Sequence, residues 1–222
     1  MATSPFRDTA FILEFINNLD PRSILDVGSG FGRWGFLCRC HFGSGISLLV
    51  KPDQPLRIDA VEAFAPNVSP AYPVVYDRTY TGDARAILPG LGTYDVVICS
   101  HMIEHLKKDE GWRLIEEMKK HSRMALILGL PFDDAIRDAI DGNEFERHQS
   151  VWRASDFGRE PAWVSTFPFL REVWAGVVIY PLDVNARWHV KTMRSPLRTF
   201  AVRHLPGMLR AARRAVGSGG GK

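Results

Sequence analysis

A short apolar segment followed by a glycine-rich turn is the feature that most constrains this sequence. Residues 23–27 read SILDV, and GSGFGRWG follows them directly. The apolar run predicts a buried strand, and the glycines predict a turn whose backbone a ligand can approach closely. A helix that begins near Phe31 would direct its free N–H groups toward that turn. The segment therefore predicts a strand, a loop and a helix that bind a nucleotide-like cofactor, with Asp26 at the end of the strand.

The spacing of the glycines limits the choice of cofactor. A phosphate-binding P-loop needs a lysine after its glycines, and the dinucleotide fingerprint has the spacing G-x-G-x-x-G. The sequence has neither, since its pattern is Asp-x-Gly-x-Gly-x-Gly. This pattern resembles motif I of the class I methyltransferases that depend on S-adenosylmethionine (SAM). The resemblance implies cofactor contacts from Asp26, Gly28, Ser29 and Gly30, with Asp26, Gly28 and Gly30 at the methionine end of SAM.

Strand-like and helix-like segments alternate along most of the chain of 222 residues. The alternation predicts an α/β fold with a Rossmann-like, seven-stranded, mostly parallel sheet that has helices on both faces. The last two strand-like segments, 162–169 and 173–180, predict an antiparallel hairpin at the edge. The expected organisation is an N-terminal helix in 1–19, a SAM-binding domain in 20–182 and a basic amphipathic tail in 183–222.

Three further predictions concern the bounds of single strands and helices. The third strand is expected at Tyr76–Tyr80, and the fifth, at Ala125–Leu130, is expected to stop at Pro131. A short helix is expected at Asp133–Ile140.

The tail is expected to be positively charged. Nine basic residues and no acidic residue follow Asp183. Its apolar residues recur three or four positions apart, which is typical of a helix that lies on an anionic membrane, holds RNA phosphates, or packs one face on the protein body. Three cysteines without a pairing pattern and the lack of a signal-peptide pattern predict a cytoplasmic protein, with peripheral membrane contact through the tail as an option.

Acidic residues follow the second and third predicted strands. Glu62 ends the second strand, and its carboxylate can accept hydrogen bonds from both hydroxyls of a ribose; the alternative is a solvated strand-end glutamate. The resemblance implies that Asp83 binds the adenine amino group and that the N–H of Ala84 meets a ring nitrogen. The alternative is that Asp83 caps a helix at 84–88. The carboxyl ends of parallel strands meet at one edge of the sheet, so we expect these acids to lie near Asp26.

Histidines follow the fourth predicted strand. The segment 94–106, YDVVICSHMIEHL, resembles motif IV of the same methyltransferases and its extension, which adds Ser100 to the cofactor-binding residues. The segment 142–152 resembles a loop with His and Trp in bacterial members that act on small molecules. A neutral histidine can remove a proton from a hydroxyl acceptor near pH 7. The candidate catalytic residues are His101, Glu104, His105 and His148, and the aromatic residues expected either to wall an acceptor pocket or to lie in the core are Trp152, Trp163, Phe167 and Phe169.

The pattern H-x-x-E-H at residues 101–105 also permits metal ligands. It matches an inverted zinc-protease motif, but here it follows a buried strand, whereas the protease carries it inside a longer helix. Some O-methyltransferases carry E-x-x-E-H here and bind a divalent ion; His101 in place of Glu would soften the site toward zinc or iron. A divalent metal is an option that we do not favour over the alternative, in which Glu104 and His105 orient each other and the loop.

The combined patterns predict a SAM-dependent methyltransferase. Its acceptor is expected to be a small molecule or a glycan, with O-methylation favoured. Two alternatives stay open at this point: an RNA 2′-O-methyltransferase, and a non-catalytic scaffold protein that binds SAM.

Overall fold

The computed structural model describes residues 8–43, 56–139, 143–158, 163–170 and 173–192. Predictions that concern residues 1–7 and 44–55 and most of the tail, 193–222, lie outside these ranges. The strands are β1 Ser23–Val27, β2 Arg57–Glu62, β3 Arg78–Thr81, β4 Tyr94–Ser100, β5 Ser122–Phe132, β6 Trp163–Leu170 and β7 Val173–Pro181. The α-helices are α1 Thr9–Leu19, α2 Arg33–Cys38, α3 Tyr72–Val75, α4 Ala84–Ile87, α5 Lys108–Lys120 and α6 Val184–Thr192.

The strands form a single sheet with the order β3-β2-β1-β4-β5-β7-β6. Strands β1 to β5 pair in parallel, whereas β7 pairs antiparallel with β5 and β6 pairs antiparallel with β7. This confirms the predicted mostly parallel sheet and its antiparallel edge hairpin. The strand order reverses between β1 and β4, which is where ligands bind in open sheets of this kind.

Both faces of the sheet are covered by helices, as predicted. Successive side chains of a strand point to opposite faces, so Ile24 packs in a core that includes α1 and α6, and Leu25 packs in a second core that includes α4 and α5. Every residue of β1 and β4 is buried, as their continuous apolar runs predict. Among the described residues, no helix is both long enough and apolar enough to cross a membrane.

Two strand boundaries differ from the prediction. Strand β3 begins at Arg78 and not at Tyr76, because Tyr76 turns its ring into the core beside Asp26. Strand β5 continues past Pro131 to Phe132. The pairing of β4 with β5 ends opposite Gly129, so the missing N–H of Pro131 costs no hydrogen bond on that side.

The predicted helix at Asp133–Ile140 is wrong over its described part, 133–139. Asp133 has a φ of 57°, which is outside the helical region. Arg137 then exchanges backbone hydrogen bonds with His148, with N···O distances of 3.4 and 3.0 Å. These long-range bonds hold the segment extended beside the loop that carries His148.

The close packing of α2 against Tyr76 gives a stability prediction. A Cβ atom added at Gly35 would lie 2.2 Å from the Tyr76 ring, which is itself held by a hydrogen bond of 2.6 Å to Asp26. We expect Gly35→Ala to lower the free energy of unfolding by about 2 kcal/mol or more, since overpacking displaces the ring. Urea denaturation measures this. Gly90→Ala is the matched control, because a Cβ there meets nothing within 4 Å; equal losses in both variants would contradict the packing argument.

Candidate active site

The loop after β1 is tied to the end of β2. The N–H groups of Gly28 and Ser29 both donate to the carbonyl oxygen of Val61, at 2.9 and 3.2 Å. The N–H of Gly30 donates to Oε2 of Glu62 at 2.7 Å. Gly28 and Gly30 have φ values of 71° and 56°, which glycine adopts without strain. The sequence therefore forms this loop because glycines occupy the positions that need left-handed backbone.

Asp26 lies beneath the loop, and the other predicted site residues line the cavity above it. Its Oδ2 accepts hydrogen bonds from the hydroxyl of Tyr76 at 2.6 Å and from the N–H of Gly35 at 3.3 Å. Only 1% of Asp26 is exposed, and burial raises the pKa of its carboxyl to about 7. The structure thus places Asp26 where it holds α2 and Tyr76 in position under the loop. Its predicted contact with SAM stays a prediction.

Glu62 joins the loop to the next turn of the chain. While Oε2 accepts from Gly30, its Oε1 accepts from the N–H of Phe64 at 2.9 Å and from Nδ2 of Asn67 at 3.2 Å. The side chain is buried but lines the cavity. Burial raises the pKa of its carboxyl, and the hydrogen bonds oppose that rise.

Asp83 both caps α4 and lines the cavity. Its Oδ1 accepts from the N–H of Arg85 at 2.8 Å, which is the helix cap that the alternative interpretation anticipated. Its Oδ2 lies 2.6 Å from Nη2 of Arg85, and this guanidinium lowers the pKa of the carboxyl. Asp83 is also among the cavity residues, together with Ala84.

One cavity of about 800 Å³ connects these strand ends with the histidines. Its size is in the range of small-molecule and cofactor sites. It brings together every predicted cofactor-binding and catalytic residue except Asp26. Those that line it are Gly28, Ser29, Gly30, Glu62, Asp83, Ala84, Ser100, His101, Glu104, His105 and His148.

His101 and Glu104 form a close pair just after β4. His101 has a φ of 54°, unusual for a residue other than glycine, and its N–H donates to the carbonyl oxygen of Gly129 at 2.7 Å. Its Nδ1 lies 3.4 Å from Oε1 of Glu104, and its buried Nε2 has no hydrogen-bond partner within the described ranges. Burial alone would raise the pKa of Glu104, but His101 and His105 outweigh it and hold that pKa below its ordinary value. A buried carboxylate therefore faces Nδ1, and Nε2 has no hydrogen-bond partner among the described residues.

A second cluster shares Glu104. One ligand atom each from Glu104, His105 and His148 lie within 4.8 Å of one another, and the two imidazole rings meet edge to face at a centroid distance of 4.8 Å. Burial lowers the pKa of His148, which favours its neutral form. Oε1 of Glu104 faces Nδ1 of His101, whereas Oε2 of Glu104 and Nδ1 of His105 are buried without a hydrogen-bond partner in the described chain. These properties fit a divalent cation, which binds carboxylates and neutral imidazoles.

Comparisons with known proteins were made by sequence and by structure. No family model and no curated protein sequence matches this chain. Solved structures do match. A SAM-dependent methyltransferase from Archaeoglobus fulgidus is 14% identical with a TM-score of 0.54, and the match covers 77% of this chain and 92% of that one.

Two further structures agree with this result. The magnesium protoporphyrin IX methyltransferase of Synechocystis is 14% identical with a TM-score of 0.54, over 79% of this chain and 81% of that one. A putative O-methyltransferase from Klebsiella pneumoniae is 13% identical with a TM-score of 0.52, over 82% of both chains. The chain has the fold of class I SAM-dependent methyltransferases. The predicted fold class is thereby confirmed.

Two of the four aromatic residues expected either to wall an acceptor pocket or to lie in the core pack in or against the core. Trp152 is completely buried, stacks on Phe157 and lies in the core. Trp163 stacks on Phe11 at a centroid distance of 4.7 Å. The side chains of Phe167 and Phe169 lie outside the described part. Phe31 and Phe145 line the cavity instead, and each is 52% exposed.

Several supporting residues were missed at the sequence level. Tyr72 and Tyr76 fall in a proline-rich stretch without periodicity, yet Tyr72 lies 3.0 Å from Oγ of Ser29 and Tyr76 bonds Asp26. Arg137 reaches the cavity beside His148 from a segment expected to be a helix. No local pattern marks such contacts, since they join residues 11 to 50 positions apart.

The raised pKa of Asp26 predicts a pH dependence of stability. The folded protein favours the protonated carboxyl, so between pH 4 and pH 7 it binds more protons at this site than the unfolded chain does. The contribution of Asp26 is full below pH 4 and is lost as the pH rises to about 7, a change of roughly 4 kcal/mol at most. Asp26→Asn should lack this loss, so its stability relative to wild type should improve over that interval. Urea denaturation across pH 4–7 measures the difference; a difference independent of pH would refute the assignment.

Proposed function

We propose that the protein transfers a methyl group from SAM to an oxygen atom of a small-molecule acceptor. The main support for this proposal is that one cavity has the glycine loop and the strand-end acids at one side and a histidine–carboxylate pair at the other. The methyltransferase fold supports SAM as the cofactor and an enzymatic role. When bound, SAM supplies a methyl group on a sulfonium leaving group, so the protein mainly has to orient the acceptor.

The cofactor would be held by the residues at the ends of β1, β2 and β3. In this proposal Gly28, Ser29 and Gly30 shape the loop against it, and Glu62 offers acceptor oxygens to the ribose hydroxyls. Asp83 and the N–H of Ala84 meet the adenine. Asp26 lies beneath the loop, where it bonds Tyr76 and the N–H of Gly35, and it stays a proposed ligand of the methionine end. Ser100 closes the cavity at the end of β4.

We assign the role of general base to His101. Its Nε2 has no hydrogen-bond partner among the described residues, and the ionised Glu104 at its Nδ1 would orient the ring and stabilise the imidazolium that forms when the acceptor hydroxyl loses its proton. His148 is a weaker candidate because its ring already contacts Arg137 at 2.9 Å and Asp134 at 3.5 Å. His105 packs edge to face against His148.

The acceptor class is supported at the level of a small molecule. The Synechocystis neighbour acts on magnesium protoporphyrin IX by its name, and the Klebsiella neighbour is named a putative O-methyltransferase. A glycan remains within the proposal as one class of hydroxyl acceptor. An RNA 2′-O-methyltransferase, the first alternative, would have RNA as its acceptor. A non-catalytic SAM-binding scaffold, the second, would show no turnover.

Calorimetry with SAM and with its demethylated product, S-adenosylhomocysteine (SAH), is the first test. The folded protein should bind both at one site per chain. Screening hydroxyl compounds with methyl-labelled SAM then separates an enzyme from a scaffold, and an RNA acceptor would appear in the same assay. A well-folded protein that binds neither SAM nor SAH would end the proposal.

Glu62 provides a specific prediction on cofactor binding. Glu62→Gln places an amide donor against N–H groups that now donate to the carboxylate, and it removes the charge. We expect the Kd for SAH to rise at least tenfold in calorimetry. Glu116→Gln is the matched control, since Glu116 is half exposed on α5 and pairs with Lys119. Its Kd should stay within twofold of wild type; an unaffected Glu62 variant would place the cofactor elsewhere.

His101 provides a prediction on catalysis. With an acceptor found by the screen, His101→Gln should lower kcat at least a hundredfold, the usual contribution of a general base, and leave the Kd for SAH within twofold. Its rate should then rise with pH without a plateau, because hydroxide replaces the imidazole. The exposed His41 serves as the control in His41→Gln. A variant of His101 with normal kcat would show that another group takes the proton.

A further inference from the structure

We propose that residues 143–147 form a strap that closes over the bound cofactor, and that the contact of Phe145 with Phe64 holds the strap closed. The inference rests on the proposed function, because it takes SAM or SAH as the ligand beneath the strap. It concerns how the cavity opens to admit and release that ligand, which the transfer of the methyl group does not specify.

The strap reaches from one side of the cavity to the other. It belongs to the chain that follows β5, yet the ring centroid of Phe145 lies 6.5 Å from that of Phe64, which follows β2. Strands β1 and β4 lie between β2 and β5 in the sheet. All five residues of the strap line the cavity. The strap therefore spans the carboxyl ends of β1 and β4, where the glycine loop and His101 lie.

A charge effect also places the strap near the proposed cofactor side. Burial raises the pKa of Glu62, and the charge of Glu146 in the strap adds to this rise. Closure thus brings two like charges together, which opposes it. The apolar contact of Phe145 with Phe64 acts against this repulsion, and a positively charged ligand beneath the strap would reduce it.

Hydrogen bonds fix the chain directly after the strap. The N–H groups of Gln149 and Ser150 both donate to the carbonyl oxygen of Glu104, at 2.9 and 3.1 Å. Nε2 of Gln149 donates to the carbonyl oxygen of His105 at 2.7 Å. The strap therefore has a fixed base on the proposed acceptor side of the cavity, and its opening would separate Phe145 from Phe64.

The bonds within the strap are local. The N–H of Phe145 donates to Oδ1 of Asn143 at 3.0 Å, and Nη2 of Arg147 lies 3.0 Å from Oε2 of Glu144. Such bonds can persist when the strap moves as a unit. Phe145 is 52% exposed although it contacts Phe64, so its ring keeps apolar surface that can pack on a ligand in the cavity.

A strap that is already closed before the ligand arrives slows both binding and release. Only the open fraction of the chains admits a ligand, so the observed association rate falls with that fraction. Loss of the contact between Phe145 and Phe64 would raise the open fraction and both rates. A side chain that merely touched the ligand would change mainly the dissociation rate. The two rates therefore distinguish these roles.

The test measures both rates for SAH on the full chain by stopped-flow fluorescence, since Trp34 lines the cavity. Phe145→Ala should raise the dissociation rate at least tenfold and the association rate at least threefold. Phe64→Ala should act in the same direction, although Phe64 is not among the described residues that line the cavity. The double variant should not exceed the larger single effect, because both changes remove one contact. Phe145→Tyr keeps the ring and should stay within twofold of wild type.

Phe36→Ala is the matched control. Phe36 is 56% exposed on α2 and is not among the described residues that line the cavity, so both rates should stay within twofold of wild type. The inference is overturned if Phe145→Ala leaves both rates unchanged, if it raises the dissociation rate alone, or if Phe36→Ala has the same effect. In these cases wild type still binds SAH and the proposed function stands. A folded wild type that binds no SAH would overturn both.

Discussion

The hydrogen bond from the N–H of Gly30 to the buried carboxylate of Glu62 is the contact on which the cofactor side of the cavity depends. It joins the loop after β1 to the end of β2, and the same carboxylate holds Phe64 and Asn67. The acid proposed to bind ribose is therefore also the acid that shapes the loop. Burial raises the pKa of Glu62, and the hydrogen bonds oppose that rise. In the proposed function, loop geometry and cofactor affinity would be coupled through one side chain.

Glu104 has the corresponding position on the proposed acceptor side. It is buried, ionised and shared between His101 and the cluster with His105 and His148. A buried charge of this kind is tolerated because positively charged groups face it. Removal of one partner would leave the charge uncompensated in the low-dielectric interior. The left-handed backbone of His101, held by Gly129, directs that imidazole toward Glu104. Strain and buried charge thus meet at the one place where chemistry is proposed.

Much of this arrangement could be predicted from the sequence because its causes are local. Glycines at 28 and 30, an acid at 62 and an apolar run at 95–100 each reflect a requirement of the chain at that position. The contacts of Tyr76 with Asp26 and of Arg137 with His148 had no such signal. Both come from segments without periodicity that are positioned by long-range pairing. The helix expected at Asp133–Ile140 is wrong over its described part, 133–139, for the same reason, since backbone bonds to His148 replace those of a helix turn.

The acids around the loop also indicate why a cationic cofactor suits this cavity. Asp26 and Glu62 are both buried. Burial, together with the charge of Glu62, raises the pKa of Asp26 to about 7, and burial raises the pKa of Glu62. A positively charged ligand above the loop would favour the ionised form of both carboxyls. In the proposed function, SAM and SAH both carry an ammonium at the methionine end, and SAM carries a second positive charge at its sulfonium. Cofactor binding near neutral pH would therefore be linked to proton release from Asp26, so the motif acid can act on affinity through charge even from beneath the loop.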